Sequence, residues 1–162
     1  MTNTLIILLL CVPALALLVA QIGGFSGKRP ADIGITSGRL KPPSNTRNSV
    51  SSQAPLYPDH AQKDAANIAP LTLKSGSAEV SIQTLLGVLQ AMPGITVVEQ
   101  KPDYLYAEAQ TRWLKFVDDV EFWLNPERGV IEVRSASRLG KEDLGANRKR
   151  IEAIRAAYLA QP

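Results

Sequence analysis

Apolar positions along this chain fall into three regimes. From Leu5 to Ala20 they form one unbroken run, which Gln21 and Ile22 extend. Between residues 28 and 62 they are scattered among Pro, Ser, Asn and Gly, and no helical or strand period is sustained there. From residue 68 onward regular periods begin, with "IAPLTLK" as a weak strand. A helix is predicted over Val80 to Ala91, where Ile82, Leu85, Leu86 and Leu89 recur at i, i+3, i+4 and i+7 and "PG" supplies the stop.

The β-branched "ITVVEQ" and the alternating "DYLYAEAQT" read as a hairpin about the Lys101-Pro102 turn. Trp113 to Leu124 reads as a long strand carrying Leu114, Phe116, Val120, Phe122 and Leu124 on one face, with Asp118 in the middle of that face. "VIEVRSASR" follows, and keeping apolar faces together sets Leu124, Phe122 and Val120 against Ile131, Val133 and Ser135, with Pro126 to Gly129 as the loop. Glu121 then opposes Arg134 and Asp118 opposes Ser137; the neighbouring register would oppose Glu121 to Glu132, an unfavourable like-charge pair. A last helix is expected from Leu144 to Ala160, capped by Asp143, with Leu144, Asn147, Ile151, Ile154 and Tyr158 on its inner side. The fold class is α+β: a mostly antiparallel four- to five-stranded sheet with two helices packed on one face, preceded by an N-terminal apolar segment.

The organisation expected is a membrane anchor or signal segment over 1–27, a Pro/Ser-rich linker partly packed on the domain over 28–62, and a globular domain over 63–162. The first 27 residues carry no charged side chain. At about 1.5 Å per residue the apolar run reaches roughly 27 Å, the length of a short membrane segment. With no basic residue before it, a single-pass anchor through residues 5–22 is favoured over a cleaved export signal. Lys28 and Arg29 argue for the cytoplasmic side and export for the cell envelope, so the side of the membrane stays open.

The formal charge of +3, from 18 basic and 15 acidic side chains, is too mild to imply nucleic acid as a partner. Cys11, the sole cysteine, lies inside the apolar run and leaves no disulfide for the domain. His60 is the sole histidine, so neither a zinc site nor an acyl-transfer triad has its ligands, and no glycine-rich phosphate loop follows a strand. No metal or other cofactor is implied.

Two groups of residues carry candidate chemistry. Asp118, Asp119 and Glu121 could do acid/base work or hold a divalent metal, although strand alternation sends Asp118 and Asp119 to opposite faces and speaks against both. The bland reading is a buried Asp118 neutralised by Arg138 or Arg150, with Asp119 and Glu121 on a solvated, salt-bridged face. The second group, Arg134, Ser137, Arg138, Asp143, Asn147, Arg148 and Arg150, gathers basic donors where a strand hands over to a helix. Such a corner could bind a phosphate or carboxylate through guanidinium forks and free amides, or act as a structural clasp in which Asn147 ties the helix to the linker.

The segments "RLKPPSNTRNSVSSQA", "FVDDVEFW" and "VRSASRLGKEDLGANRKRIEAIR" resemble the bacterial and plastid domain-of-unknown-function family 1499, over roughly residues 31 to 156. The resemblance implies a domain of this size, often behind a membrane or export segment, with no activity, substrate or cofactor to carry over. The family's first block commonly reads "NCVSS", whereas this chain has Ser49 at the cysteine position, which speaks against a cysteine mechanism here. The function expected is a membrane-tethered binding or interaction module recognising an anionic ligand, a small molecule or lipid headgroup, at the Arg/Asn corner, with a membrane protein as a further candidate partner. The alternative is a small envelope enzyme, hydrolase-like, using a carboxylate of the central strand.

Overall fold

In the computed structural model, residues 2–74 and 77–162 are described, with side chains from residue 11 onward. In chain order the elements are α1 (Thr2–Gln21), β1 (Ser49–Ser51), a 3-10 turn (Ala54–Leu56), α2 (Lys63–Ala66), β2 (Leu71–Thr72) and α3 (Ala78–Ala91), followed by β3 (Ile95–Gln100), β4 (Tyr104–Gln110), β5 (Val117–Asn125), β6 (Val130–Ser137) and α4 (Ala146–Leu159). The sheet is antiparallel in the order β1-β6-β5-β4-β3, and β2 shares the outer edge of β6 with β1. This is the α+β fold expected, with six strands because residues read as linker supply β1. Three residues are too few to display a period of two.

Apolar alternation fixed the central pairing. In β5–β6, Glu121 faces Arg134, Asp118 faces Ser137 and Leu124 faces Ile131, the register that keeps like faces together. On one side of the sheet Leu105, Val120, Phe122, Ile131 and Val133 meet Ile82, Leu85 and Leu89 of α3 and Ile151, Ile154 and Tyr158 of α4 in the main core. α3 is capped by Ser77, whose hydroxyl accepts from Val80 N.

Two boundaries differ from the periodic reading. β5 begins at Val117, because residues 111–116 form a tight hairpin loop in which Thr111 N donates to Phe116 O and Phe116 N to Thr111 Oγ1. Lys115 adopts a positive φ of 57° there, so Trp113 and Leu114 project from the end of the sheet instead of extending its apolar face. Likewise α4 begins two residues later than its pattern suggests: Leu144, at φ 51°, is exposed, and Gly145 occupies the cap position at φ 79°. Asp143 still serves the helix start, its carboxylate accepting from Gly145 N at 2.9 Å and Asn147 N at 3.0 Å.

The other side of the sheet is covered as well, which corrects the expectation of a solvated face around Asp119 and Glu121. Residues 29–47 run across it as a strap: Ile33 and Leu40 pack on Tyr104, Tyr106 and Trp123 in a second, smaller core. Gly34 N donates to Glu121 Oε1 at 2.9 Å, the Thr36–Arg39 pair turns the strap, and Leu40 N donates to Gln53 Oε1 at 2.7 Å. Tyr57 Oη donates to Leu40 O at 2.9 Å, and Ser44 N to Ser49 Oγ at 2.8 Å.

α1 ends in a glycine turn, with Gly23 N on Ala20 O, Gly24 N on Val19 O and Gly23 at φ 80°. Phe25 then stacks on Phe116 with ring centroids 5.2 Å apart, joining the helix exit to the domain. The early side chains of the apolar run lie outside the described residues. Among the described residues no helix is long and apolar enough to cross a membrane.

If the strap is part of the fold, Leu40→Ala will lower unfolding stability by about 2–3 kcal/mol, measured by urea denaturation. A change near zero would make residues 29–47 a mere tether.

Candidate functional site

On the helix-covered side of the sheet, Asp118 is a carboxylate on an apolar strand face, and such a group must be neutralised to stay buried and charged. Arg150, from the second turn of α4, reaches it with Nη2 at 2.5 Å of Oδ2. The same guanidinium donates through Nη1 to Ser135 Oγ and Asn147 Oδ1. Asn147 in turn donates to Ser137 Oγ at 3.0 Å and to Asn48 O at 3.1 Å. Asn48 Nδ2 continues the chain to Gly140 O at 2.7 Å. Asn48 Oδ1 is, among the described residues, a buried side-chain oxygen without a partner. This network ties α4, the end of β6 and the segment before β1 together, with Arg150 in the neutralising role.

The strap-covered side holds three further pairs. Arg138 Nε donates to both Asp119 oxygens at 3.0 and 3.2 Å, its Nη2 to Asp119 and to Tyr106 Oη at 3.0 Å, and the same Nη2 also bonds Glu108. Burial works against the Arg138 charge, but the Asp119 and Glu108 carboxylates outweigh it and hold the proton more tightly than an ordinary guanidinium. Arg134 Nη1 donates to Glu121 Oε2 at 3.3 Å, and Tyr104 Oη donates to Glu121 Oε1 at 2.9 Å. Both Tyr104 and Tyr106 are pushed to higher pKa, by burial first and then by the carboxylates they bond, so both remain neutral donors. Glu132 receives Ser52 Oγ at 2.6 Å, Asn125 Nδ2 at 3.1 Å and Arg128 Nη1 at 2.6 Å.

The Arg/Asn corner legible in the sequence is therefore divided by the sheet. Arg134 and Arg138 lie under the strap, whereas Asn147 and Arg150 lie under α4, and Ser137 Oγ joins the latter group. Each of the three arginines is spent on a buried carboxylate. Nor are the first amides of α4 free, since Asp143 already occupies them. Burial would raise Asp143, but the bonds from Asn147 and Gly145 hold it below the usual aspartate value.

Arg148 is the member of the corner with another role. Its Nη2 donates to Ala65 O at 3.0 Å and Asn67 O at 2.8 Å, and it lines a cavity of about 180 Å³ between residues 46–50, α2 and the start of α4. Thr46, Arg47, Ser49, Gln62, Glu142 and Asp143 complete the polar part of the wall. Arg47 is exposed and, unlike the buried arginines, has no ion pair among the described residues. The pocket thus brings an unpaired guanidinium and one bonded only to carbonyls to one small space. Arg47, Gln62 and Glu142 were not singled out in the sequence; the "NSVSS" block was, and its Ser49 opens onto the pocket. The carboxylates Asp118, Asp119 and Glu121 line none of it.

A two-faced antiparallel sheet, with helices over one side and an N-terminal strap over the other, makes this a small α+β domain built on buried ion pairs. The chain belongs to the family described as protein of unknown function (DUF1499), whose model matches residues 39–158. That span includes β1, the second half of the strap and the whole pocket wall. Comparison with curated proteins and with solved structures gave no match.

Removing one member of the pair under α4 leaves a buried charge uncompensated. Arg150→Met is expected to cost about 3–5 kcal/mol, and Asp118→Asn/Arg150→Met to recover much of that loss, read as coupling in a double-mutant cycle by urea denaturation. Asp143 gives a pH signature. Because its folded pKa is depressed, its contribution is complete above the ordinary value of 3.8 and is lost as pH falls through the folded value. Asp143→Asn should therefore flatten the acid limb of the stability profile while lowering stability at neutral pH.

Proposed function

We propose that this chain is a membrane-tethered binding module whose ligand is a small anion held at the Arg47/Arg148 pocket. The observation that carries the reading is the division of the arginines: those paired with buried carboxylates are structural, and Arg47 and Arg148 face a cavity without a carboxylate bonded to either guanidinium. Guanidinium forks favour phosphate and carboxylate oxygens, and a volume of about 180 Å³ suits a small anionic group better than a drug-sized ligand. Glu142 and Asp143 add negative charge to the wall, but the Asp143 oxygens are turned to the helix amides, which offset it, and neither carboxylate is bonded to Arg47 or Arg148.

The tether is α1. Its support is the apolar, uncharged N-terminal segment and the exposure of Val12, Leu15, Leu17 and Leu18, which no part of the domain covers. The carboxylate-enzyme reading is less well supported, since Asp118, Asp119 and Glu121 are each buried and bound to a guanidinium.

Thermal-shift measurements on the full chain in detergent, with inorganic phosphate, phosphorylated metabolites, small carboxylates and glycerophosphate headgroups, test the pocket. A ligand at about a hundredfold over its Kd adds about 2.7 kcal/mol, a rise of several degrees that Arg47→Ala should abolish while leaving unliganded melting unchanged. If no anion shifts melting, the pocket is structural and the reading fails.

A further inference from the structure

The end of the sheet from which α1 departs is unlike the rest of the surface. Three loops meet there: the glycine turn after α1, the β4–β5 hairpin at 111–116, and the segment from Arg138 to Gly145. They are in contact, since Phe25 stacks on Phe116, and a Cβ at Gly27 would meet Arg138 and Leu139 at 2.7 and 3.1 Å. Arg138 N also donates to Val117 O, closing the second loop against the third.

On this end apolar side chains point outward with nothing to pack against. Trp113 is 65 % exposed and Leu144 85 % exposed, and Leu114 and Leu139 are exposed with them. Two of the positions shaping these loops, Lys115 and Leu144, hold left-handed backbone that L-residues avoid. Trp113, near Lys115, and Leu144 itself project outward. Cationic groups surround the patch: Lys28, Arg112 and Lys141 are exposed, and the Arg112 guanidinium lies 5.0 Å from the centre of the Trp113 ring. Glu142 is the exposed acid among these loops, whereas the opposite end of the sheet exposes Glu79, Asp103 and Glu127 beside Lys101 and Arg128, so that acids outnumber bases there.

We infer that this end of the domain seats on an anionic lipid bilayer, with Trp113, Leu114, Leu139 and Leu144 entering the headgroup layer and Lys28, Arg112 and Lys141 meeting lipid phosphates. The chemistry is that of an interfacial contact: an amphipathic indole, short apolar wedges and a ring of cations. Its approach rests on the tether proposed for α1, which brings this end of the domain to the bilayer first, while the lipid contact is made by the patch itself. Continuity of the apolar helix with the patch, together with the charge difference between the two ends, selects a lipid surface as the occupant.

The two tryptophans make the test direct, because Trp123 is buried under the strap and Trp113 is exposed. The full chain is reconstituted into vesicles of phosphatidylcholine with and without phosphatidylglycerol, each doped with a lipid brominated high on its acyl chain. Tryptophan quenching is read before and after alkaline carbonate washing, which strips peripheral protein. The seat is supported if emission is quenched in the anionic vesicles, if Trp113→Phe removes the quenchable component, and if Arg112→Gln or Lys141→Gln each lowers the docked-to-free ratio about fivefold. Protein that survives the wash with unquenched Trp113 overturns the seat and leaves the tether standing. Protein that is quenched but then washed away keeps the seat and overturns the tether. Loss of both signals overturns both, and equal quenching in neutral vesicles overturns the anionic-lipid assignment. Near-UV circular dichroism of each variant separates these outcomes from misfolding.

Discussion

Four carboxylates buried in one β-hairpin set the terms for the rest of this structure. Asp118, Asp119 and Glu121 on β5 and Glu132 on β6 are all withdrawn from water, and each has its own guanidinium: Arg150, Arg138, Arg134 and Arg128. A buried carboxylate without such a partner would cost several kcal/mol or take up a proton. The elements around the hairpin are accordingly held by what they bring to it. α4 delivers Arg150 and Asn147, the strap accepts Arg134 at Pro42 O and donates Gly34 N to Glu121, and the residues around β1 bring Ser52 to Glu132.

This arrangement also explains why a sheet with so much polar content is covered on both faces. A sheet with one wet side needs only alternation to be soluble. Here the second side joins tyrosines and a tryptophan to paired charges, and the strap excludes water from them. Low local dielectric strengthens each ion pair and makes each lost partner expensive, so the strap and the charges depend on each other. The consequence for function is subtractive. Arginines committed to the interior are withdrawn from the surface, whereas Arg47 and Arg148 at the pocket and the cations near the exit of α1 are not spent on buried carboxylates.

The sequence made the β5–β6 pairing legible because two independent constraints, facial alternation and the avoidance of Glu121 against Glu132, select the same register. It also showed that Asp118 and Asn147 needed partners, since both sit on faces otherwise apolar. Pattern and structure part where local geometry departs from periodicity. Leu114, Phe116 and Leu144 continue an apolar pattern by number, yet the positive φ of Lys115 and Leu144 breaks the element before the pattern ends. Alternation sets Asp119 and Glu121 on the face away from the helices, but it reports only which face a side chain is on and says nothing of what covers that face.

By itself, then, the chain determined its antiparallel α+β character, its central register, its uncharged apolar start and the need of certain buried polar groups for partners, all properties carried by spacing along a few neighbouring residues. Only the tertiary structure decided which arginine meets which carboxylate, that residues 29–47 lie across the sheet, and that Arg47 and Arg148 share a pocket. Those pairings join residues separated by as many as 99 positions, as Asn147 with Asn48, and no local period encodes a contact between segments that distant. It is packing, with its demand that every buried charge be matched, that chooses among them.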